Sequence, residues 1–302
     1  MNKGYFLVFL TAIISGLSIF LSKFGVSVIN PYIFTWLKNL MVLVLLTGLL
    51  LALKDWQILK SLTKKQWFLL IAIGLVGGSI PFLLFFKGLS MVSAPLGSFI
   101  HKTMFIYVAF LAFFFLKEKI DKRFFLGGFF LILGNLLLLK KLSFTLEPGY
   151  FLVFLATFFW AAENTISKYV LKELSGRIVA WARMFFGAFF IFIFLLGTDQ
   201  LSLLVDFNLI QVRWILITAV FLFGYVMTWY GGLRYIPVSQ ATVILLFGAP
   251  ITTLLSFIFG REVILQDFLA GFLIILGIIS VLGLKQTLGL IKEMKTLMYV
   301  RT

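Results

Sequence analysis

The sequence predicts an all-α polytopic membrane protein, with ten transmembrane helices arranged as two inverted five-helix repeats. Three observations predict it: a composition too apolar for water, ten runs of spanning length, and a seven-residue phrase that recurs half a chain later. Of 302 residues, 62% are hydrophobic and 12% charged, and the mean hydropathy is +1.12. A soluble domain is nearer half apolar and a quarter charged, so this chain could not cover itself with polar groups in water.

A spanning helix needs about 20 predominantly apolar residues. Such runs cover 4–27, 31–53, 66–89, 94–116, 123–140, 149–171, 177–198, 211–235, 239–260 and 267–285. The first is too long for a signal peptide and ends in SKFG, with no small-x-small cleavage pattern, so it reads as a span. The linkers are short except 54–65 and 199–210, and no soluble domain is expected.

The phrase GYFLVFL runs from Gly4 to Leu10 and again from Gly149 to Leu155. In the same register Ser22-Lys23 matches Ser167-Lys168, Trp36 matches Trp181, and Lys38 meets Arg183. With small gaps, KGLSMVSAP (87–95) lies over GGLRYIPVS (231–239), LKEKI (116–120) over GREVI (260–264), and LGGFFLILG (126–134) over LAGFLIILG (269–277). The copies, 4–140 and 149–285, hold five spans each. Five is odd, so the second copy enters the membrane from the opposite side. That is the inverted-topology repeat found in many secondary transporters.

Several chemistries are excluded. The chain has no cysteine, which removes disulfides, thiolate metal sites and cysteine nucleophiles, and its single histidine, His101, excludes a multi-histidine metal site. There is no Gly-rich phosphate cradle, so coupling to ATP within this chain is not expected. No cofactor, metal or catalytic residue is expected. The net charge of +15 would suggest nucleic acid in a soluble protein. Here the basic residues lie between apolar runs and read as membrane orientation, so no nucleic-acid partner is expected. Of 26 Lys and Arg, Lys38, Lys87, Lys102 and Arg183 fall inside spans. With a cytoplasmic N-terminus, 17 of the others lie on the inner side and 5 on the outer. This places both termini in the cytoplasm of a multi-pass protein in a cell (inner or plasma) membrane.

Charge inside the bilayer costs about 2.5–3.5 kcal/mol at a helix centre on insertion scales, so such residues need water, a partner or a function. His101 and Lys102 sit mid-way along the fourth span, and their counterparts are Leu245 and Leu246. This asymmetry suggests a cavity wall for an anionic group; a backbone-bonded histidine and a snorkelling lysine are the plainer alternative. Glu163 and Asn164 lie in the sixth span, with Trp160, Glu163 and Ser167 on one face. Glu163 reads as a proton or amine site, or as a counter-ion for Lys102 or Arg183. Trp160, Tyr225, Trp229 and Tyr230 could stack on cargo or simply pack. The expected substrate-binding set is His101, Lys102, Glu163, Asn164, Trp160, Tyr225 and Trp229. Lys38 and Arg183 are symmetric and read as structural, bonding helix-end carbonyls or headgroups. Lys87, near a span end, reads as snorkelling. Trp56 and Trp67 read as interfacial belt, and residues 286–302 as a basic amphipathic cytoplasmic tail.

Taken in order in both halves, these motifs resemble the drug/metabolite transporter superfamily, specifically its EamA-like ten-span branch. The carriers are Lys38 and Arg183, the GL-led stretches beginning at Gly88 and Gly232, FLKEKI and IFGREVI, and the G-x5-G patterns of the fifth and tenth spans. The resemblance implies secondary transport by alternating access. It also implies export of small organic metabolites such as amino acids or amines, with lipid around the protein, protons as a candidate coupling ion and a homodimer as a candidate assembly. Many relatives carry a Glu-Pro pair in the fourth and ninth spans. Here Pro250 follows Ala249, and the first-half positions are Phe105 and Ile106, so that glutamate's proton-coupling role is not carried over. The interior cations outnumber the one interior acid, Glu163, which tilts the expected cargo toward an anionic group. An intramembrane enzyme using His101 and Glu163, or a non-transporting scaffold or lipid-handling protein, are the alternatives from other classes.

Overall fold

The computed structural model describes residues 3–138, 147–204, 208–260 and 265–284, together with 287 and 289. The expected tail at 286–302 therefore lies almost wholly outside the described residues. Among the described residues ten long helices follow in order, with a short helical turn, Trp56–Leu59, between the second and third: α1 (Lys3–Val28), α2 (Pro31–Ala52), α3 (Lys64–Met91), α4 (Ala94–Leu116), α5 (Lys122–Leu137), α6 (Pro148–Val170), α7 (Gly176–Gly197), α8 (Leu209–Leu233), α9 (Val238–Ile258) and α10 (Leu265–Leu282). All but α5 are long and apolar enough to cross a membrane. The described part of α5 has 16 residues and packs along α10. The described residues contain no strand, as an apolar solvent demands: only structures that satisfy every backbone group internally can span it.

Local chemistry sets the helix starts. Asn30 accepts from the amides of Tyr32 and Ile33, with Pro31 at the first helical position of α2. Thr63 and Gln66 form a capping box for α3, and Asn208 and Gln211 another for α8. Ser93, Asp121 and Ser175 cap α4, α5 and α7. Helix ends are bound in the same way within each repeat half. Lys23 donates to the carbonyls of Leu89 and Ser90 at the end of α3. Its counterpart Lys168 donates to Leu233, Arg234 and Ile236 at the end of α8. Each lysine satisfies carbonyls that the helix itself leaves unpaired.

Packing is reciprocal. α1 lies on α8 and α6 lies on α3, while α2 pairs with α7 and α5 with α10. Small residues allow close approach. Gly4 meets the carbonyl of Gly232, and Gly88 meets that of Gly149. On α5 and α10, Gly127 meets Gly277 while Gly134 meets Ala270, so these two equivalent helices run antiparallel. The same holds for α2 and α7: Trp36 donates to the carbonyl of Ala188, and Trp181 to the hydroxyl of Thr47.

Three helices are broken. α4 breaks at Thr103 and α9 at the equivalent Leu246-Phe247, where Pro250 removes the N–H that the Leu246 carbonyl would receive. α3 contains a π-helical turn over Gly74–Ser79, closed by the Ile80 amide on the Leu75 carbonyl. Pro81 follows it and lacks the N–H that would bond the Gly77 carbonyl in an α-helix. That carbonyl is free to serve the site.

Candidate functional site

A small cavity opens where α1, α2, α3, α4, α6, α7 and α8 meet. Its water-sized free space is about 60 Å³, well below the roughly 300–1,000 Å³ of a ligand pocket. It is lined by Ser15, Ser18, Ile19, Lys38, Phe82, Phe85, Phe86, His101, Met104, Trp160, Glu163, Asn164, Arg183, Leu222 and Tyr225.

The freed Gly77 carbonyl organises one wall. It accepts from Arg183 Nε (3.2 Å) and Nη2 (3.0 Å) and from Trp160 Nε1 (3.0 Å). Glycine is required there, since a Cβ on Gly77 would overlap the Glu163 side chain. The next carbonyl, Gly78, accepts from Asn39 Nδ2 at 3.1 Å, and Gly78 crosses Gly187 of α7 backbone to backbone. From this anchor a polar chain runs outward. Arg183 Nη1 donates to Tyr230 (3.1 Å), and the Tyr230 hydroxyl donates to Glu163 Oε1 (2.6 Å). Ser167 donates to the same oxygen at 2.5 Å. Glu163 Oε2 is buried and has no partner among the described residues.

Lys38 faces this wall. Its ammonium sits over the Phe86 ring at 3.4 Å from the centroid, with Phe34 at 5.0 Å and Phe82 at 5.6 Å. No described atom accepts a hydrogen bond from it. Phe82 also receives the Arg183 guanidinium at 5.2 Å, so its negative ring faces stand beside both cations.

Of the expected binding residues, His101, Trp160, Glu163, Asn164 and Tyr225 line this cavity together. His101 packs edge-on to Trp160 and Phe85, and its Nδ1 has no described partner. Two others stand one layer back. Lys102 is buried and donates to Ser15 Oγ at 2.7 Å, beside Gly248 of α9. Trp229 is fully buried and donates to Asn164 Oδ1 at 2.8 Å.

The expectations for Lys38 and for a Glu163–Lys102 pair need correction. Glu163 is not the ion-pair partner of Lys102; of the two cations it is linked to Arg183, through Tyr230. Lys38 bonds no helix-end carbonyl; it lies on the cavity wall. Arg183 does bond a carbonyl, but mid-membrane, where Pro81 freed it. Lys87 is half-buried toward the end of α3. Trp56 is exposed and carries Lys60 over its ring, whereas Trp67 packs edge-on against Phe186. Ser15, Ser18, Phe82, Phe85, Phe86 and Met104 were not foreseen. Ser18 is the α1 counterpart of Glu163, a signal that could have found it. Nothing marks three particular rings among 38 phenylalanines.

Helices of spanning length around a buried polar cavity, built from two repeat halves with reciprocal contacts, define the class of multi-pass membrane transporters. The chain belongs to the EamA-like transporter family, whose profile matches residues 2–140 and again 147–283. It is similar to an uncharacterized transporter of Methanothermobacter thermautotrophicus, with 26% identity over 139 residues. That match spans 44% of this chain and 40% of the relative. A solved crystal structure shares the fold, with a TM-score of 0.69, 15% identity, and coverage of 93% of this chain and 98% of the other. The family points to a transporter rather than an enzyme.

Proposed function

We propose that this protein is a secondary exporter of small organic metabolites, amino-acid-like or amine-bearing solutes with an anionic group. It works by alternating access between two inverted halves, 4–140 and 149–285, with both termini in the cytoplasm. The observation that carries the reading is the pair of unpartnered groups on one cavity: the Lys38 ammonium and Glu163 Oε2. A buried charge without a partner is costly unless a ligand completes it. A cargo carboxylate would sit on Lys38 over the phenyl cage, and a cargo ammonium or a proton on Glu163. The antiparallel run of equivalent helices supports inversion, because a two-fold axis through the cavity then exchanges the halves. The small free volume fits a closed state that must widen to admit cargo.

Counterflow in sealed proteoliposomes tests this. The expected result is saturable exchange of an amino-acid-like solute, lost in Lys38→Met, with a shifted pH profile in Glu163→Gln at equal protein level. Turnover of a solute in detergent without vesicles would instead support an enzyme. Absence of exchange across a screened metabolite set would overturn transport of this class.

A further inference from the structure

We propose that the lipid-facing groove between α4 and α5 is a binding site for one anionic phospholipid, with an acyl chain in the groove and the phosphate on a basic ridge at its end. The groove has a volume of about 700 Å³ and lies apart from the central cavity. Its walls are Phe105, Ile106, Phe110 and Phe113 from α4, and Phe125 and Phe129 from α5, with Gly128 on its floor. No polar side chain lines it, so its occupant's buried part is hydrocarbon.

The loop joining the two helices closes one end. Ile120, Phe124 and Phe125 of this turn line the groove, and Lys117, Lys119, Lys122 and Arg123 stand beside them in sequence. All four cations are exposed, and none makes an ion pair among the described residues. The two acids of the loop are held by hydrogen bonds at helix starts. Glu118 accepts from the amides of Val238 and Ser239 and from the Ser239 hydroxyl, at the start of α9. Asp121 caps α5 through the Phe124 amide. The acids serve helix ends while the bases make no ion pair, and the segment 117–123 carries four cations against two acids.

The second half supplies a contrast. The equivalent groove, about 530 Å³, is lined by Pro250, Thr253, Leu254, Phe257, Phe268 and the carboxylate-bearing Asp267. Its turn reads REVILQD (261–267) where the first reads KEKIDKR (117–123). The two grooves thus differ in the net charge of the sequence that borders them. With the orientation proposed above, the basic ridge faces the leaflet that carries anionic lipid.

The test uses the full chain purified in detergent and melted with added phosphatidylglycerol, phosphatidylcholine or inorganic phosphate. Phosphatidylglycerol should raise the melting temperature by a few degrees more than phosphatidylcholine, and inorganic phosphate alone should not. The triple variant Lys119→Gln, Lys122→Gln, Arg123→Gln should lose that difference, since each such cation favours anionic lipid roughly fivefold. Gly128→Leu, which fills the floor without changing charge, should weaken stabilisation by both lipids. Equal effects of the two lipids, a preference that survives the triple variant, or an equal response to inorganic phosphate would overturn the site. So would light scattering showing that a second copy of the chain covers the groove. None of these outcomes bears on counterflow through the central cavity, so this proposal and the transport reading fail separately.

Discussion

Replacing Tyr230 by Phe keeps the ring and removes one oxygen. That oxygen is fully buried, donates to Glu163 Oε1 at 2.6 Å and accepts from Arg183 Nη1 at 3.1 Å. Both bonds involve an ionic group, each worth about 1.5–3 kcal/mol. The ring still fills its space, so no cavity term is added. Arg183 keeps the Gly77 carbonyl and Glu163 keeps Ser167, so the loss should fall near the low end of the sum, about 3 kcal/mol. For a chain of 302 residues that is a fall of roughly 5 °C in melting temperature. Tryptophan fluorescence during melting in detergent reads it. A double-mutant cycle with Glu163→Met isolates the tyrosine–glutamate bond, because Tyr230 then still accepts from Arg183. The coupling should be roughly 1–3 kcal/mol. A Tyr230→Phe protein that melts with the wild type, or effects that add within about 0.5 kcal/mol, would refute the chain of bonds as a structural unit.

Three further outcomes are expected. Lys38→Met should melt within a few degrees of wild type, since losing its cation–π contacts, about 2 kcal/mol, is offset by removing an unpaired buried charge; a fall of more than about 10 °C would show an overlooked partner. Gly78→Ala and Gly187→Ala each push a methyl into the facing backbone and should cost about 1–3 kcal/mol, whereas Gly48→Ala and Gly197→Ala meet nothing and should not lower the melting temperature. Asp55→Asn removes the Arg177 pair, whose arginine side chain is 40% exposed, so denaturant titration should find a loss of no more than about 1 kcal/mol, smaller still in high salt.

The helices were legible because hydropathy is additive along the chain and a lipid solvent leaves few alternatives. The caps at Asn30, Thr63 and Asn208 are equally local. The site was legible only in part. Glu163, Asn164, Trp160, His101 and Tyr225 stood out as polar or amphipathic groups in apolar runs, and they do converge. Lys38 lines the cavity, and Lys102 stands one layer back on Ser15. Symmetry between Lys38 and Arg183 suggested scaffold, yet residues near an axis relating two halves face the centre because they are symmetric. Lys102 looked exceptional for lacking a counterpart, yet it points from the break in α4 toward Ser15 and Gly248.

Composition, spacing and the internal repeat by themselves determined that this is a helical membrane protein in two related halves, and which polar groups are carried into the bilayer. Only the tertiary structure decided which of them meet. A lysine's four-carbon stem reaches either way from its helix. Its direction depends on helix rotation and on glycine crossings such as Gly78 with Gly187, which bring distant segments within contact. The opening of the Gly77 carbonyl belongs to both levels: Pro81 frees it locally, but that Arg183 and Trp160 take it up is a fact of packing.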